Sequence, residues 1–317
     1  MYDSWRTEML KHFNLTGDSN ADWYLNMVFK RDRTARTVTV SQEALIENLA
    51  TRFPFLKTTT GVKTPLPAST VFSREHSPAP GQANRKLQAD FRSALGILLY
   101  VSVKTRMDIS QAVSAASRVM SNPGEQHWKS LMHLLRYTYH TRDRVLKLGG
   151  QNCTTTSPFA LQAFTDSDWG GDPSRKSTSG GQIQFMGGLV WYKSKLQTTI
   201  ARSTAQAGLA AASMVAAEVV HLRNLLAELH HAQRTPTMIQ CDNQGSIKVS
   251  HNPTIGPRLK HVDMMDLWVR ELCEQGKVYM TYIETTENPA DVLTKALGKE
   301  LFRKHVSNWY NDKYCYG

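Results

Sequence analysis

The chain has 317 residues, and hydrophobic residues make up 41% of it, which is enough for a sizeable core in one large domain or two. It contains no apolar run near the ~18 residues of a membrane span, and its N-terminus lacks the apolar core of a signal peptide. We therefore expect no membrane partner and an intracellular protein, cytoplasmic or nuclear, that is not secreted. Lys and Arg exceed Asp and Glu by 38 to 27, which favours a nucleic-acid partner, although solubility alone also explains it.

The first 84 residues predict a hairpin, a helix and an irregular segment. Two β-rich runs, at 21–30 and 36–40, flank a charged five-residue turn. Ser41 is placed to cap a helix that runs to about residue 51. Residues 57–84 are rich in Pro, Gly, Ser and Thr, a composition typical of a linker or of a long surface loop.

From residue 87 to residue 140 the pattern is helical, because apolar residues recur at intervals of three and four. Asp108 is expected to cap a helix over 109–120, and Ser121-Asn122-Pro123 ends it before another helix at 128–139. The Gly- and Thr-rich stretch at 149–158 is the predicted domain boundary. The first part of the chain is therefore predicted to be mainly helical, with one β-hairpin.

The second part alternates strands and helices. Strands are predicted at 160–166, 180–187, 189–195, 236–241 and 277–284, and helices at about 204–230, from Asn243, at about 262–275 and from Pro289. Three strands followed by αβ units indicate an α/β fold with a mixed five-stranded sheet, antiparallel on one side and parallel on the other. The 204–230 helix is apolar nearly all round, which predicts a central, mostly buried helix.

Three aspartates follow apolar runs in this second part. Asp166 and Asp242 end predicted strands, and Asp291 begins the last predicted helix. Carboxylate oxygens in such positions suit Mg²⁺, and two ions about 3.5–4 Å apart would clamp a phosphodiester. The pattern indicates a metal-dependent nuclease. A turn cap at Asp166, a helix N-cap at Asp242 and a helix-start carboxylate at Asp291 are the structural alternatives.

Several motifs, in order and near their expected spacing, resemble the C-terminal end of the Pol polyprotein of Copia-type retrotransposons. The pieces similar to its ribonuclease H domain are Phe164–Asp172, Arg175–Gly180, Cys241–Asn243, Lys260–Asp263 and Ala290–Leu297. The pieces similar to the stretch after its polymerase palm are Ala21–Leu25, Leu95–Tyr100, Thr105–Ser110 and Met120–Trp128. The resemblance implies a reverse transcriptase remnant at 1–150, a ribonuclease H-like domain at 157–300 and a C-terminal tail at 301–317.

The resemblance also implies an activity and a set of site residues. Asp166, Asp242 and Asp291 would hold two Mg²⁺ or Mn²⁺ ions, and the reaction would be hydrolysis of the RNA strand of an RNA–DNA hybrid. The family has a metal-binding Glu where this chain has Gln206, so weaker metal binding and reduced hydrolysis are expected. Residues expected to contact nucleic acid are Arg175, Lys176, Ser203 and Asn243, with a solvated turn as the alternative for the first two.

The same resemblance argues against DNA synthesis. The family's polymerase uses an Asp-Asp pair on a hairpin, this chain contains no such pair, and the similarity starts downstream of that hairpin. We therefore expect no polymerase activity. The alternatives to a nuclease are a non-catalytic nucleic-acid-binding module and a structural adaptor for other Pol-derived chains. Trp169, beside Asp166, is the one tryptophan placed to pack on a nucleotide.

Overall fold

A computed structural model describes residues 2–14, 22–68, 70–79, 81–150, 159–252 and 264–310. Four predicted features lie partly or wholly outside these residues. They are the boundary at 149–158, the start of the helix at 262–275, the Lys260–Asp263 motif and the end of the tail at 301–317. The description falls into a first region, residues 22–150, and a second region, residues 159–293. Ahead of both lies helix α1, Tyr2–Leu10.

The first region contains a small antiparallel sheet. Its strands, in the spatial order β1-β2-β3-β4, are Trp23–Tyr24, Met27–Asp32, Thr37–Ser41 and Leu146–Gly149. The predicted hairpin is confirmed as β2 and β3. Strand β4 was not predicted, because four residues after a long helix carry too little pattern; it pairs with β3, about a hundred residues earlier in the chain.

Helices build the rest of the first region. They are α2 (Glu43–Glu47), α3 (Leu49–Arg52), α4 (Arg85–Lys104), α5 (Ser110–Ser117) and α6 (Glu125–His140), with 3₁₀ turns at Pro54–Lys57, Arg74–His76 and Met107–Ile109. The predicted helix after Ser41 is two short helices that divide at Asn48. The segment at 57–84 is irregular as predicted, but Leu66 and Phe72 are buried in it, so it packs on the helices.

The prediction that Asp108 caps a helix is wrong. Asp108 lies in a 3₁₀ turn, and its carboxylate is fully buried in what we call the Asp108 cluster: Arg106, Asp108, Tyr137, Arg144 and Tyr310. Arg106 donates to both carboxylate oxygens, at 2.9 and 2.8 Å. Tyr137, Tyr310 and Arg144 donate to the same carboxylate at 2.7, 2.9 and 3.1 Å. The side chain therefore joins distant segments and caps none of them.

The second region is built on a mixed five-stranded sheet, as predicted. Its strands are β5 (Gln162–Asp168), β6 (Thr178–Phe185), β7 (Gly188–Leu196), β8 (Thr237–Cys241) and β9 (Val278–Tyr282), in the spatial order β7-β6-β5-β8-β9. Strands β5, β6 and β7 pair antiparallel, whereas β8 pairs parallel with both β5 and β9. This is the ribonuclease H-like sheet that the resemblance implies.

Helix α7, Thr204–Glu228, packs along the middle of this sheet. Its buried face includes Val215, Ala216 and Val219, which confirms the predicted central helix, although its opposite face stays open. By length and mean hydropathy, 1.3, α7 could also cross a membrane, but a helix that covers a sheet with one apolar face passes the same test. Its apolar character is thus accounted for by packing within the fold.

Shorter helices complete the second region and lead back to the first. They are α8 (Gln244–His251), α9 (Met264–Glu274), 3₁₀ turns at Thr285–Glu287 and Pro289–Leu293, and α10 (Lys299–Val306). The single helix predicted from Pro289 is therefore wrong, since a 3₁₀ turn precedes α10.

The apolar core of the first region takes in residues from the end of the chain. Phe302, Val306, Trp309 and Tyr310 are buried in it, and Tyr310 forms a β-bridge with Leu146. A second apolar cluster lies between α7 and the five-stranded sheet. The division at 1–150, 157–300 and 301–317 stays a prediction, but the first of these cores crosses it.

Candidate metal centre

Three carboxylates meet at one edge of the five-stranded sheet. Asp166 lies near the end of β5, and Asp242 directly follows β8. Since β5 and β8 are parallel, with Thr165 opposite Cys241, both aspartates emerge at the same edge. Asp291, in the 3₁₀ turn at 289–293, completes a set whose ligand atoms all lie within 4.8 Å of one another. We call these residues the aspartate triad; they are the three that the sequence singled out.

The negative charges of the aspartate triad are only partly balanced by nearby positive charge. Asp166 and Asp291 are buried, and Asp242 is half-buried. Burial, followed by the negative charge of Asp166, raises the pKa of Asp291 to about 7. The same two causes raise the pKa of Asp242. The raised pKa values mean that the ionised carboxylates are destabilised by burial and by mutual repulsion. A bound cation would offset both effects.

Neighbouring side chains hold the triad in place. The Thr294 hydroxyl donates to Asp166 Oδ2, and the Thr285 hydroxyl donates to Asp242 Oδ2 at 2.9 Å. Lys295 Nζ lies 3.0 Å from Asp291 Oδ2. The charges of Asp166 and Asp291 raise the pKa of Lys295 against the opposing effect of burial. Sequence reasoning assigned no role to these residues, although the quoted Ala290–Leu297 motif contains both Thr294 and Lys295.

One atom of the triad is left without a partner. Asp291 Oδ1 is buried, and no donor in the described part of the chain reaches it. A buried carboxylate oxygen without a hydrogen bond is costly, so it requires a compensating ligand. An orphaned oxygen among three hard oxygen donors fits a divalent cation such as Mg²⁺ or Mn²⁺.

Gln206 lies in the first turn of α7, and its side chain is engaged within that turn. Ser203 caps α7 by accepting from Gln206 N at 3.1 Å, and Gln206 Oε1 accepts from Arg202 N at 2.9 Å. The amide oxygen therefore closes the first turn of the helix. A metal-ligand role for Gln206 stays a prediction.

The residues predicted to contact nucleic acid occupy two kinds of position. Arg175 is exposed in the turn between β5 and β6, with φ at 61°, and Lys176 beside it is half-buried. Ser203 and Asn243 are helix N-caps, since Asn243 Oδ1 accepts from Ser246 N at 3.0 Å. Trp169, just after β5, is 52% exposed, and its indole N–H donates to Ala201 O at 3.0 Å. Contact of these residues with nucleic acid stays a prediction.

The strand order and the acidic site define this chain as a ribonuclease H-like α/β protein. Over 297 residues, 93% of the chain, it is 35% identical to the "Retrovirus-related Pol polyprotein from transposon TNT 1-94" of Nicotiana tabacum. It is 28% identical over 309 residues to the corresponding protein from transposon RE2 of Arabidopsis thaliana. The chain belongs to the family of Copia-type retrotransposon Pol polyproteins.

The extent of these similarities is limited in two ways. The chain spans 22% of the tobacco protein and 20% of the RE2 protein, about a fifth of each. Among solved structures, LC11-RNase H1 in complex with an RNA/DNA hybrid matches 42% of this chain and 93% of its own, with 14% identity and a TM-score of 0.32. No family model matches the chain. The fold follows from the order and register of the chain's own strands.

Proposed function

We propose that this chain is a retrotransposon-derived ribonuclease H-like protein that hydrolyses the RNA strand of an RNA–DNA hybrid with divalent metal ions. The observation that carries the proposal is the aspartate triad, with ligand atoms within 4.8 Å of one another and Asp291 Oδ1 unpartnered in the described residues. Family membership and the strand order support the same reaction class. The net charge of +11 supports a polyanionic substrate.

The triad residues would hold two Mg²⁺ or Mn²⁺ ions. Bound there, such ions supply a water-derived nucleophile at neutral pH and stabilise the leaving 3′ oxygen. The chain itself fixes the ligands. Thr294 orients the Asp166 carboxylate, and Thr285 orients that of Asp242. Partners of this kind commonly change metal affinity or activity by about 10–100-fold when they are removed.

Lys295 would have a second task in the same site. Its ammonium group lies 3.0 Å from Asp291 and reduces the repulsion among the carboxylates before metal binds. It also lines a cleft of about 230 Å³ beside the triad, together with Thr294 and Arg118. A phosphate of the substrate would meet a positive charge there once the ions neutralise the triad.

Gln206 is proposed to weaken the reaction. It supplies a neutral amide where the family has a carboxylate, and its oxygen accepts from Arg202 N. One specific alternative follows from this contact: a nucleic-acid-binding protein without catalytic activity. The alternative retains the basic surface, including Arg175 and Lys176, and lacks only the fourth carboxylate.

A cleavage assay separates the two functions. A hybrid with a labelled RNA strand is incubated with the full chain and Mg²⁺ or Mn²⁺, and RNA products are resolved by length. We expect slow cleavage that stops with EDTA and is lost in Asp166→Asn. Asp143→Asn, which changes an aspartate away from the triad, is the matched control and should cut at the native rate. Hybrid binding without any metal-dependent product would refute hydrolysis and leave the binding function.

A further inference from the structure

A groove lies between the edge strand β7 and helix α7, apart from the metal centre. It encloses about 490 Å³, and its walls come from β7, from the loop after it, from α7 and from α9. The lining side chains on which the inference depends are Trp191, Lys193, Lys195, Gln197, Glu218 and Trp268. None of these side chains belongs to the aspartate triad.

Two lysines give the groove a positive wall. Lys193 and Lys195 are alternate residues of β7, so both side chains leave the same face of the sheet, roughly 6.6–6.8 Å apart along the strand. Both are exposed, and within the described part of the chain neither ammonium group has a hydrogen-bond or ion-pair partner. Glu218 is the acidic residue of the lining, so a net positive charge remains.

Two tryptophans, from β7 and α9, give the same groove aromatic surfaces. Trp191 and Trp268 are both half-buried, so part of each ring remains open to a ligand. Trp191 lies against Gly181 on β6, where a β-carbon would sit 3.2 Å from the ring. The missing side chain at Gly181 therefore leaves room for the ring on the sheet surface.

The groove borders the first turn of α7 but lies on the face of the sheet opposite Asp166, because a β-carbon at Gly181 would meet Val215 of α7, whereas one at Gly180, the residue paired with Asp166, would meet Thr294. Gln197 Nε2 donates to Ser179 Oγ and to Ala207 O, both at 2.9 Å, and so fixes one end of the groove to the first turn of α7. Strand register places Lys195 opposite Ser179, and Ser179 opposite Ser167. Lys195 is thus two strand spacings, about 9.5 Å, from the residue that follows Asp166.

We propose that this groove binds an unpaired nucleic-acid strand, with phosphates on Lys193 and Lys195 and bases stacked on Trp191 and Trp268. Exposed lysines beside open aromatic rings are the combination that holds single strands without regard to sequence. Neighbouring phosphates and bases of one strand would reach both kinds of side chain together. This binding goes beyond the proposed hydrolysis, because it requires neither metal nor cleavage.

The test measures binding of a fluorescein-labelled dC15 strand to the full chain by anisotropy, in EDTA. Lys193→Glu with Lys195→Glu should weaken binding at least tenfold. Lys57→Glu with Lys277→Glu changes the net charge equally on exposed residues outside the groove, and should weaken binding less than twofold. In the double variant Lys193→Gln with Lys195→Gln, the slope of log affinity against log salt should fall by about 1.4, the value for two lost phosphate contacts on a single strand.

Stacking gives a second, independent readout. Trp268→Leu should weaken binding by about 5- to 150-fold, the loss of one stacked base. Its circular dichroism should match that of the native chain, and dC15 should quench native tryptophan fluorescence. If both charge-reversed pairs weaken binding equally, or if polyglutamate competes as well as dC15, the groove is not a strand site. If the native chain binds dC15 through the groove but cuts no hybrid in Mg²⁺ or Mn²⁺, hydrolysis alone is refuted and the groove stands.

Discussion

The molecule buries acidic side chains in two places and treats them in opposite ways. In the Asp108 cluster, one carboxylate receives hydrogen bonds from two arginines and two tyrosines. In the aspartate triad, Lys295 is the one side-chain cation among the described residues that pairs with the carboxylates, and it lies 3.0 Å from Asp291. Asp108, Asp166 and Asp291 are all buried, so the difference between them lies in the charges that the chain places around them.

The pKa values follow from that difference. Arg106 and Arg144 hold the pKa of Asp108 well below its usual range, against the opposing effect of burial. Burial and the charge of Asp166 raise the pKa of Asp291 to about 7. A carboxylate that is neutralised internally serves the fold, whereas carboxylates left unneutralised favour the binding of a proton or of a cation from outside. The charge around each acid therefore distinguishes a structural aspartate from candidate metal ligands without reference to any relative.

The largest expected effect tests the structural side of the comparison. Asp108→Asn removes the negative charge and leaves the buried guanidinium of Arg106 uncompensated, so it should lower the free energy of unfolding by about 3–5 kcal/mol. Urea unfolding at pH 7 in EDTA measures this. The matched control is Asp291→Asn, an equally buried aspartate, which should be neutral or stabilising under the same conditions. If Asp108→Asn lowers the free energy of unfolding by less than about 1 kcal/mol, the proposed difference between the Asp108 cluster and the aspartate triad is refuted.

The pH dependence of stability tests the other side. Because the pKa of Asp291 is raised from 3.8 to about 7, the folded state binds this proton more tightly than the unfolded state does. This contribution is fully present below about pH 4 and is lost as the pH rises to about 7. It is on the order of 4 kcal/mol, at about 1.4 kcal/mol per pKa unit.

The measurement is the urea midpoint of the metal-free chain between pH 4 and 8. The native chain should lose stability across this range, and Asp291→Asn should lose much less. Added Mg²⁺ should restore the native chain at pH 8, because the ion replaces the proton. Identical pH profiles for the two chains would show that Asp291 does not carry the shift.

A third prediction adds a charge to the triad. Gln206→Glu should raise hybrid cleavage by about 10²–10³-fold, the usual worth of one group that stabilises charge directly. Asp166→Asn in the same background should abolish the gain. The new carboxylate must leave the contact that Gln206 makes with Arg202 N. If Gln206→Glu cleaves the hybrid at the native rate and binds Mn²⁺ in calorimetry with unchanged affinity, residue 206 lies outside the metal centre.

The smallest effect concerns an ion pair of intermediate burial that links the two regions. Arg118, after α5, donates to the carboxylate of Asp172 in the turn between β5 and β6. Their side chains are 20% and 7% exposed, so solvent screens the pair more than it screens the Asp108 cluster. A double-mutant cycle with Arg118→Met and Asp172→Asn should give a coupling of about 1 kcal/mol. A coupling above about 3 kcal/mol would group this pair with the buried cluster.

Sequence reasoning located the triad because its members follow local patterns. An apolar run that ends in Asp166 or Asp242 indicates a strand end, and parallel neighbours bring such ends together. The mixed sheet and helix α7 follow from periodicity in the same way. The hydroxyl and ammonium partners of the triad carry no such pattern, since Thr294 and Lys295 look like ordinary polar residues after a turn.

The errors arise where long-range packing decides the outcome. Asp108 stands ahead of a helical pattern, which favours a cap, but its partner Tyr310 lies 202 residues away. Strand β4 exists because β3 offers it an edge, not because residues 146–149 form a strong strand pattern. Leu66 and Phe72 are buried although the composition around them is that of a loop. These contacts join residues that are far apart in the chain, so no local sequence pattern reveals them.

The bridge between Tyr310 and Leu146 has a consequence for how this piece of sequence could be inherited. Recombination that moved the five-stranded sheet alone, ending near residue 300, would carry away Leu189, Val292 and Leu293, which are buried in the core of the first region. The donor helices would then lose part of their core, and the transplanted sheet would lose the helices beneath its last turn. Exchange between elements should therefore preserve this stretch from β1 to Tyr310 as one heritable block.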